Sequence, residues 1–164
     1  MDERRVKTIF YRKGENMSDQ IAYECDEVGY KYKTRGRTIG ESDIIFHGGQ
    51  TGDLFPAHMD AEAAKKSVYK QRIAHGTLTL SIAMGLKYDT DPAKGVRISY
   101  GYDRLRFLKP VFIGDTIFAN VEVASSEMDP KRAGFRRVVE TMDVKNQRDE
   151  TVLAVQHILV RFPE

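Results

Sequence analysis

The chain has 164 residues, 41% of them hydrophobic, and its 26 Lys and Arg against 24 Asp and Glu leave a net charge of +2. That length favours one domain, or one domain plus a short extension, and a core that hides roughly 70% of the unfolded surface. Charges this evenly mixed argue against a nucleic-acid binder. The longest apolar run, Leu80–Leu86, is too short to span a bilayer, and no apolar stretch follows the charged N-terminus as a secretory signal would require. The single cysteine, Cys25, excludes an intramolecular disulfide and a Cys-based zinc site. The expectation is a cytoplasmic protein with no membrane or nucleic-acid partner.

Residues 1–27 read as an N-terminal extension, with a strand near Thr8–Tyr11, and residues 28–164 as one domain. From Val28 to Arg37 aromatic and basic residues alternate, which suits an edge strand. Thr38 to Glu41 has capping-box spacing, so a short helix is expected over Ser42–His47, ended by Gly48, Gly49 and Gly52. Pro56 predicts a loop from Asp53 to His58. Asp60 is placed to cap a second short helix, Ala61–Lys66. Residues 77–87 are apolar nearly all round, which predicts a helix enclosed by the rest of the fold.

After Gly95 the period changes to two. Ile98, Tyr100 and Tyr102 alternate, then the phase flips to Leu105 and Phe107, predicting a bulge near Asp103. Three further strands are expected around Ile117–Val123, Val138–Val144 and Val152–Val160, the last apolar on both faces and therefore central. Helices followed by a run of strands indicate an α+β fold with an antiparallel sheet wrapped round one buried helix.

Two local patterns suggest chemistry. Asp53 and His58 stand five residues apart across Pro56, so a turn there can bring a carboxylate and an imidazole together on one water molecule. A polar turn in which Asp53 ties down its own backbone satisfies the same spacing. Gly76 opens the buried helix, where free N–H groups and the helix dipole can polarise a carbonyl oxygen. A close-packing position where helix meets sheet requires the same glycine. His75 reads most simply as a packed, hydrogen-bonded histidine, His47 as a surface residue and His157 as structural. Lys65, Lys66, Lys70 and Arg72 form a solvated basic face that can also meet phosphates.

Thr51-Gly-Asp-Leu-Phe-Pro-Ala-His58-Met-Asp60, then Arg72-Ile-Ala-His-Gly-Thr-Leu-Thr-Leu-Ser81, then Phe107-Leu-Lys-Pro-Val-Phe-Ile-Gly-Asp-Thr-Ile117 together resemble the MaoC-like dehydratases, which include the (R)-specific enoyl-CoA hydratases. The resemblance covers roughly residues 28–162 and implies a hot-dog fold, a curved antiparallel sheet wrapped around a long central helix. It implies reversible hydration of a trans-2-enoyl-CoA to a (3R)-hydroxyacyl-CoA. Asp53 would activate water, His58 would hold the water and handle the α-carbon proton, and the Gly76 N–H would bind the thioester oxygen. Phe55, His75 and Thr77 would border the substrate. No metal or redox cofactor is implied, since coenzyme A is part of the substrate, and a homodimer is expected.

The chain departs from the family at Phe55, where an asparagine is usual, and at Met84, where some members carry serine. A hot-dog thioesterase and a non-catalytic acyl-thioester binding protein are the competing readings.

Overall fold

The computed structural model describes residues 25–91 and 96–163. The strand expected at Thr8–Tyr11 lies outside the described residues. The elements are β1 (Lys31–Lys33), β2 (Arg37–Thr38), α1 (Glu41–Thr51), α2 (Pro56–Met59), α3 (Ala61–Lys66), α4 (Gly76–Thr90), β3 (Arg97–Phe107), β4 (Thr116–Met128), β5 (Arg136–Lys145) and β6 (Thr151–Arg161). The sheet runs β1-β4-β5-β6-β3, with β2 also on β4, and every pairing is antiparallel. β6 is therefore internal, as its two apolar faces require, and β3 is an edge.

The sheet packs against α4. Leu78, Ile82, Ala83, Met84 and Leu86 of that helix meet Ile117, Ala119 and Val121 of β4, Met142 and Val144 of β5, and Leu153 and Val155 of β6 in one core. One stripe of α4 stays open: Thr77, Ser81 and Tyr88 are exposed. The helix is thus enclosed on the sheet side and not all round, because a single sheet covers only one side of a cylinder.

The strand register carries the bulge expected near Asp103, as a shift between Asp103 and Arg106, and a second between Ser99 and Gly101. Arg104 takes φ +52° there, a left-handed turn that lets β3 change phase.

The helical segments differ from expectation in two places. α1 runs on through Gly48 and Gly49 and stops at Gly52, whose φ of +77° is the left-handed cap that favours glycine. Gly48 is retained inside the helix because a side chain there would meet the Asp53 carbonyl oxygen, Leu54 and Met59 at 3.3 Å. The capping contact at the helix start lies two residues later than the sequence spacing suggests: the Asp43 carboxylate accepts the Gly40 N–H at 2.8 Å. The expected loop over 53–58 is also interrupted. Pro56 opens a four-residue helix instead of forbidding one, since its fixed φ and missing N–H suit the first helical position.

A buried ionic network fastens the far end of α4. Lys87, fully buried, reaches Asp91 at 3.0 Å and Glu140 of β5 at 2.9 Å. Arg97 of β3 joins Asp26 at 3.1 Å and Glu140 at 3.7 Å, and Arg161 of β6 joins Asp26 at 2.7 Å. Cys25 and Asp26, at the end of the segment read as an extension, are buried against the domain. Burial pushes the Cys25 thiol up, so it is not activated as a nucleophile. No helix among the described residues is long and apolar enough to cross a membrane.

Candidate active site

The Gly52 cap turns the chain sharply out of α1 and delivers Asp53 to a loop at the N-terminal end of α4. Leu54 N–H closes a turn on the Gly52 carbonyl at 3.0 Å, and the bonds Asp53 itself makes within the loop are longer. The Asp53 N–H donates to Thr51 Oγ1 at 3.3 Å, and Phe55 N–H donates to Asp53 Oδ1 at 3.4 Å. The second bond is the backbone tie that a polar turn would make, and it is too long to hold the carboxylate firmly. Asp53 remains exposed.

α2 then carries His58 back toward the core. The His58 Nδ1–H donates to the Ile73 carbonyl at 2.8 Å, and Ile73 N–H donates to the Ala57 carbonyl at 3.1 Å. Because a carbonyl only accepts, the proton sits on Nδ1, and Nε2 of His58 is left as a lone pair. Asp60 ends the turn by capping α3, its Oδ1 accepting Glu62 N–H at 2.9 Å and Ala63 N–H at 3.0 Å.

The strand-like segment before α4 brings the third group. Ala74 N–H donates to the Val111 carbonyl at 2.8 Å, and Ile73 bridges to Phe112. This fixes His75 as the N-cap residue of α4. His75 is 1% exposed. Its Nε2–H donates to the Asp53 carbonyl at 2.9 Å, and its ring stacks on His58 with centroids 3.8 Å apart and 28° between planes. Expected at the border of the substrate, His75 instead lies beneath the two groups that the sequence paired.

One carboxylate oxygen of Asp53 and one ring nitrogen each of His58 and His75 fall within 4.8 Å of one another. Such a donor set can in principle take a divalent ion. The two imidazoles lie face to face, however, whereas histidines sharing an ion radiate from it, and tetrahedral zinc needs ligand atoms only about 3.4 Å apart. The spacing suits a water molecule at hydrogen-bond length.

Gly76 follows His75 at the first turn of α4. A Cβ there would come within 2.9–3.0 Å of three carbons of the Phe107 ring, so close packing alone already requires glycine. The two readings of this residue are compatible: the absent side chain admits Phe107, and the helix N-terminus still presents its N–H groups. A cavity of about 240 Å³ adjoins His58 and Gly76, lined also by Thr79, Tyr69, Phe107 and Lys109. A second, of about 530 Å³, runs between α1 and α4 past Phe46, His47, Gln50 and Ser81.

Phe55 does not enter either cavity. It is 62% exposed, with its ring centroid 6.3 Å from that of His58. Thr77 is exposed and shares a hydrogen bond of 2.9 Å with Nε2 of His47. His47, read from sequence as a surface residue, packs on His75 with centroids 4.8 Å apart. Burial, followed by the neighbouring His75, lowers its pKa below the ordinary histidine value. The sequence signal for it was present: His47 and Thr51 stand four apart on α1, so they share the helix face that leads to Asp53. Of the basic face, Arg72 pairs with Glu41, and Lys65 with Glu62 at 2.6 Å. His157 is buried in β6, bonded to Ser99 at 2.9 Å and stacked on Tyr102, as a structural residue would be.

Comparison with known proteins identifies the family. The family model described as MaoC like domain matches residues 25–149. Protein MaoC of Klebsiella aerogenes is 40% identical over 95 residues, which make up 58% of this chain but only 28% of that protein. The (R)-specific enoyl-CoA hydratase of Rhodospirillum rubrum is 37% identical over 100 residues, 61% of this chain and 68% of the relative. Among solved structures, an Archaeoglobus protein described as a monoamine oxidase regulatory protein superposes with a TM-score of 0.78 at 35% identity, covering 84% of this chain and 92% of that one. With its hot-dog architecture and the match over most of its length, the chain belongs to the MaoC-like dehydratase family.

Proposed function

We propose that the protein is a hydro-lyase that reversibly adds water to a trans-2-enoyl-CoA, giving a (3R)-hydroxyacyl-CoA. The observation that carries this reading is that Asp53 brings a carboxylate oxygen within 4.8 Å of a ring nitrogen of His58, which lines one cavity together with Gly76 at the helix start. The Asp53 carboxylate takes a proton from the water as it attacks the β-carbon. The Nε2 lone pair of His58 accepts a hydrogen bond from that water and holds it in place, and the proton the pair takes from the water is the one returned to the α-carbon. The thioester oxygen gathers charge as the enolate forms, and the N–H groups at the start of α4 face charge of that sign. Two groups on one water titrate as a coupled pair, so the labels acid and base belong to the dyad. The reaction as written uses no metal or redox cofactor, and coenzyme A enters with the substrate.

The working unit on this reading is a homodimer. β3 is an edge strand on which Ile98, Tyr100 and Tyr102 are all substantially exposed, and an apolar edge of that length favours pairing with a second copy. The assay is loss of the enoyl absorbance of crotonyl-CoA, read beside release of free thiol. Loss of absorbance without thiol supports the hydratase. Thiol release would indicate a thioesterase, and binding with neither signal would indicate an acyl-thioester carrier.

A further inference from the structure

His75 is the one buried imidazole that touches both members of the dyad, and nothing in the proposed reaction yet uses it. We propose that His75 is a positioning residue, fixing the main chain of Asp53 and the ring plane of His58 against the start of the central helix. This rests on the hydratase reading above.

Within its loop Asp53 itself makes only long bonds, of 3.3 Å from its N–H and 3.4 Å to its carboxylate, while a Leu54 N–H to Gly52 carbonyl bond of 3.0 Å closes the turn around it. The Asp53 carbonyl is tied to the start of the central helix by His75 Nε2–H, at 2.9 Å. The His58 ring, pinned at one nitrogen by Ile73, is held in plane by the face of His75 at 3.8 Å. Behind His75 stands His47, whose own ring is anchored through Thr77 on the first turn of α4. Three imidazoles therefore pack in a row from α1 to α2, His58 stacked on His75 and His47 tilted 54° to it, with Gly76 next to His75 in the chain. Phe55, two residues after the aspartate, points outward and gives the loop no support from that side.

A second observation separates this role from plain packing. Nδ1 of His75 is buried with no hydrogen-bond partner. An orphaned buried acceptor destabilises the fold, and a phenyl ring of similar size would avoid that cost while keeping the stack. An imidazole kept at such a position is kept for its other nitrogen.

Two substitutions test this. His75→Phe keeps the ring and removes the donor to Asp53. His75→Gln places an amide N–H near the same point and removes the ring. For His75→Phe we expect a melting temperature unchanged or higher, faster amide exchange at Asp53, Leu54 and Phe55, and kcat lowered at least about 10-fold with KM within about 3-fold, because small misplacements of catalytic groups are this costly. His75→Gln should restore protection of those amides and recover part of kcat. Wild-type turnover in His75→Phe, or unchanged loop exchange, would overturn the proposal. If the wild-type protein hydrates no enoyl-CoA, the hydratase reading fails, while the exchange measurement on His75→Phe still decides whether the tether exists.

Discussion

Lys87 anchors the C-terminal end of the helix whose N-terminal end carries the site, and removing its charge should cost more than any surface substitution. The network counts three cations, Lys87, Arg97 and Arg161, against three carboxylates, Asp26, Asp91 and Glu140. Lys87→Met keeps the apolar stem but leaves three buried carboxylates facing two guanidiniums. Breaking one partner of a buried pair typically costs about 3–5 kcal/mol, because the remaining charge has lost both water and counter-charge. With an m-value of about 2 kcal/mol/M for a domain of this size, the urea midpoint should fall by roughly 2 M. The double variant Lys87→Met with Glu140→Gln restores neutrality and should recover at least about 1.5 kcal/mol relative to the sum of the single costs. Equilibrium urea unfolding of the three variants measures all of this. A Lys87→Met midpoint within about 0.5 M of wild type, or strict additivity in the double variant, would refute the reasoning that the network is a coupled buried unit.

Gly76→Ala should destabilise by about 1–3 kcal/mol through overpacking against Phe107, and Phe107→Leu should relieve much of that; unfolding midpoints that stay equal would show that the ring yields freely. Burial alone would raise the Asp115 carboxyl, but the Phe112 N–H, Gln147 and Arg148 together hold it below its ordinary value. A depressed folded pKa gives stability that is present above the unfolded value of 3.8 and lost as pH falls through the folded one, so the stability gap between wild type and Asp115→Asn should be full at neutral pH and shrink below about pH 4; a gap that does not change with pH would contradict this. Tyr100→Glu on the exposed edge of β3 should shift light-scattering mass from dimer toward monomer, and a wild-type protein that is monomeric and fully active would show that the edge needs no partner.

The sheet and the central helix were legible because period-two and all-apolar patterns report directly on which faces are covered. β6 could be placed inside the sheet because Leu153, Val155 and Leu159 fill one face while Val152, Ile158 and Val160 fill the other. The pairing of Asp53 with His58 was legible as a spacing, but the sequence could not say that Pro56 starts a helical turn, since proline both stops and opens helices. His75 was legible as a packed, hydrogen-bonded histidine, but its contacts with His47 and His58 arise between α1, α2 and α4, which no local window contains. Lys87 is the clearest omission. A lysine near a helix end ordinarily lies in solvent, and its partner Glu140 is 53 residues away. A faint signal existed: Glu140 occupies an inward position in the alternation Val138, Glu140, Met142, Val144, where a carboxylate demands a buried cation.

The central claim is that Asp53 and His58 together add water to an enoyl thioester. Its most direct test is turnover of crotonyl-CoA by wild type, Asp53→Asn and His58→Ala, with the configuration of the 3-hydroxy product determined. The account predicts (3R) product from wild type, a loss of about 10²–10⁴-fold in kcat in each variant, and unchanged folding. Near wild-type turnover in either folded variant, or a (3S) product, would contradict it.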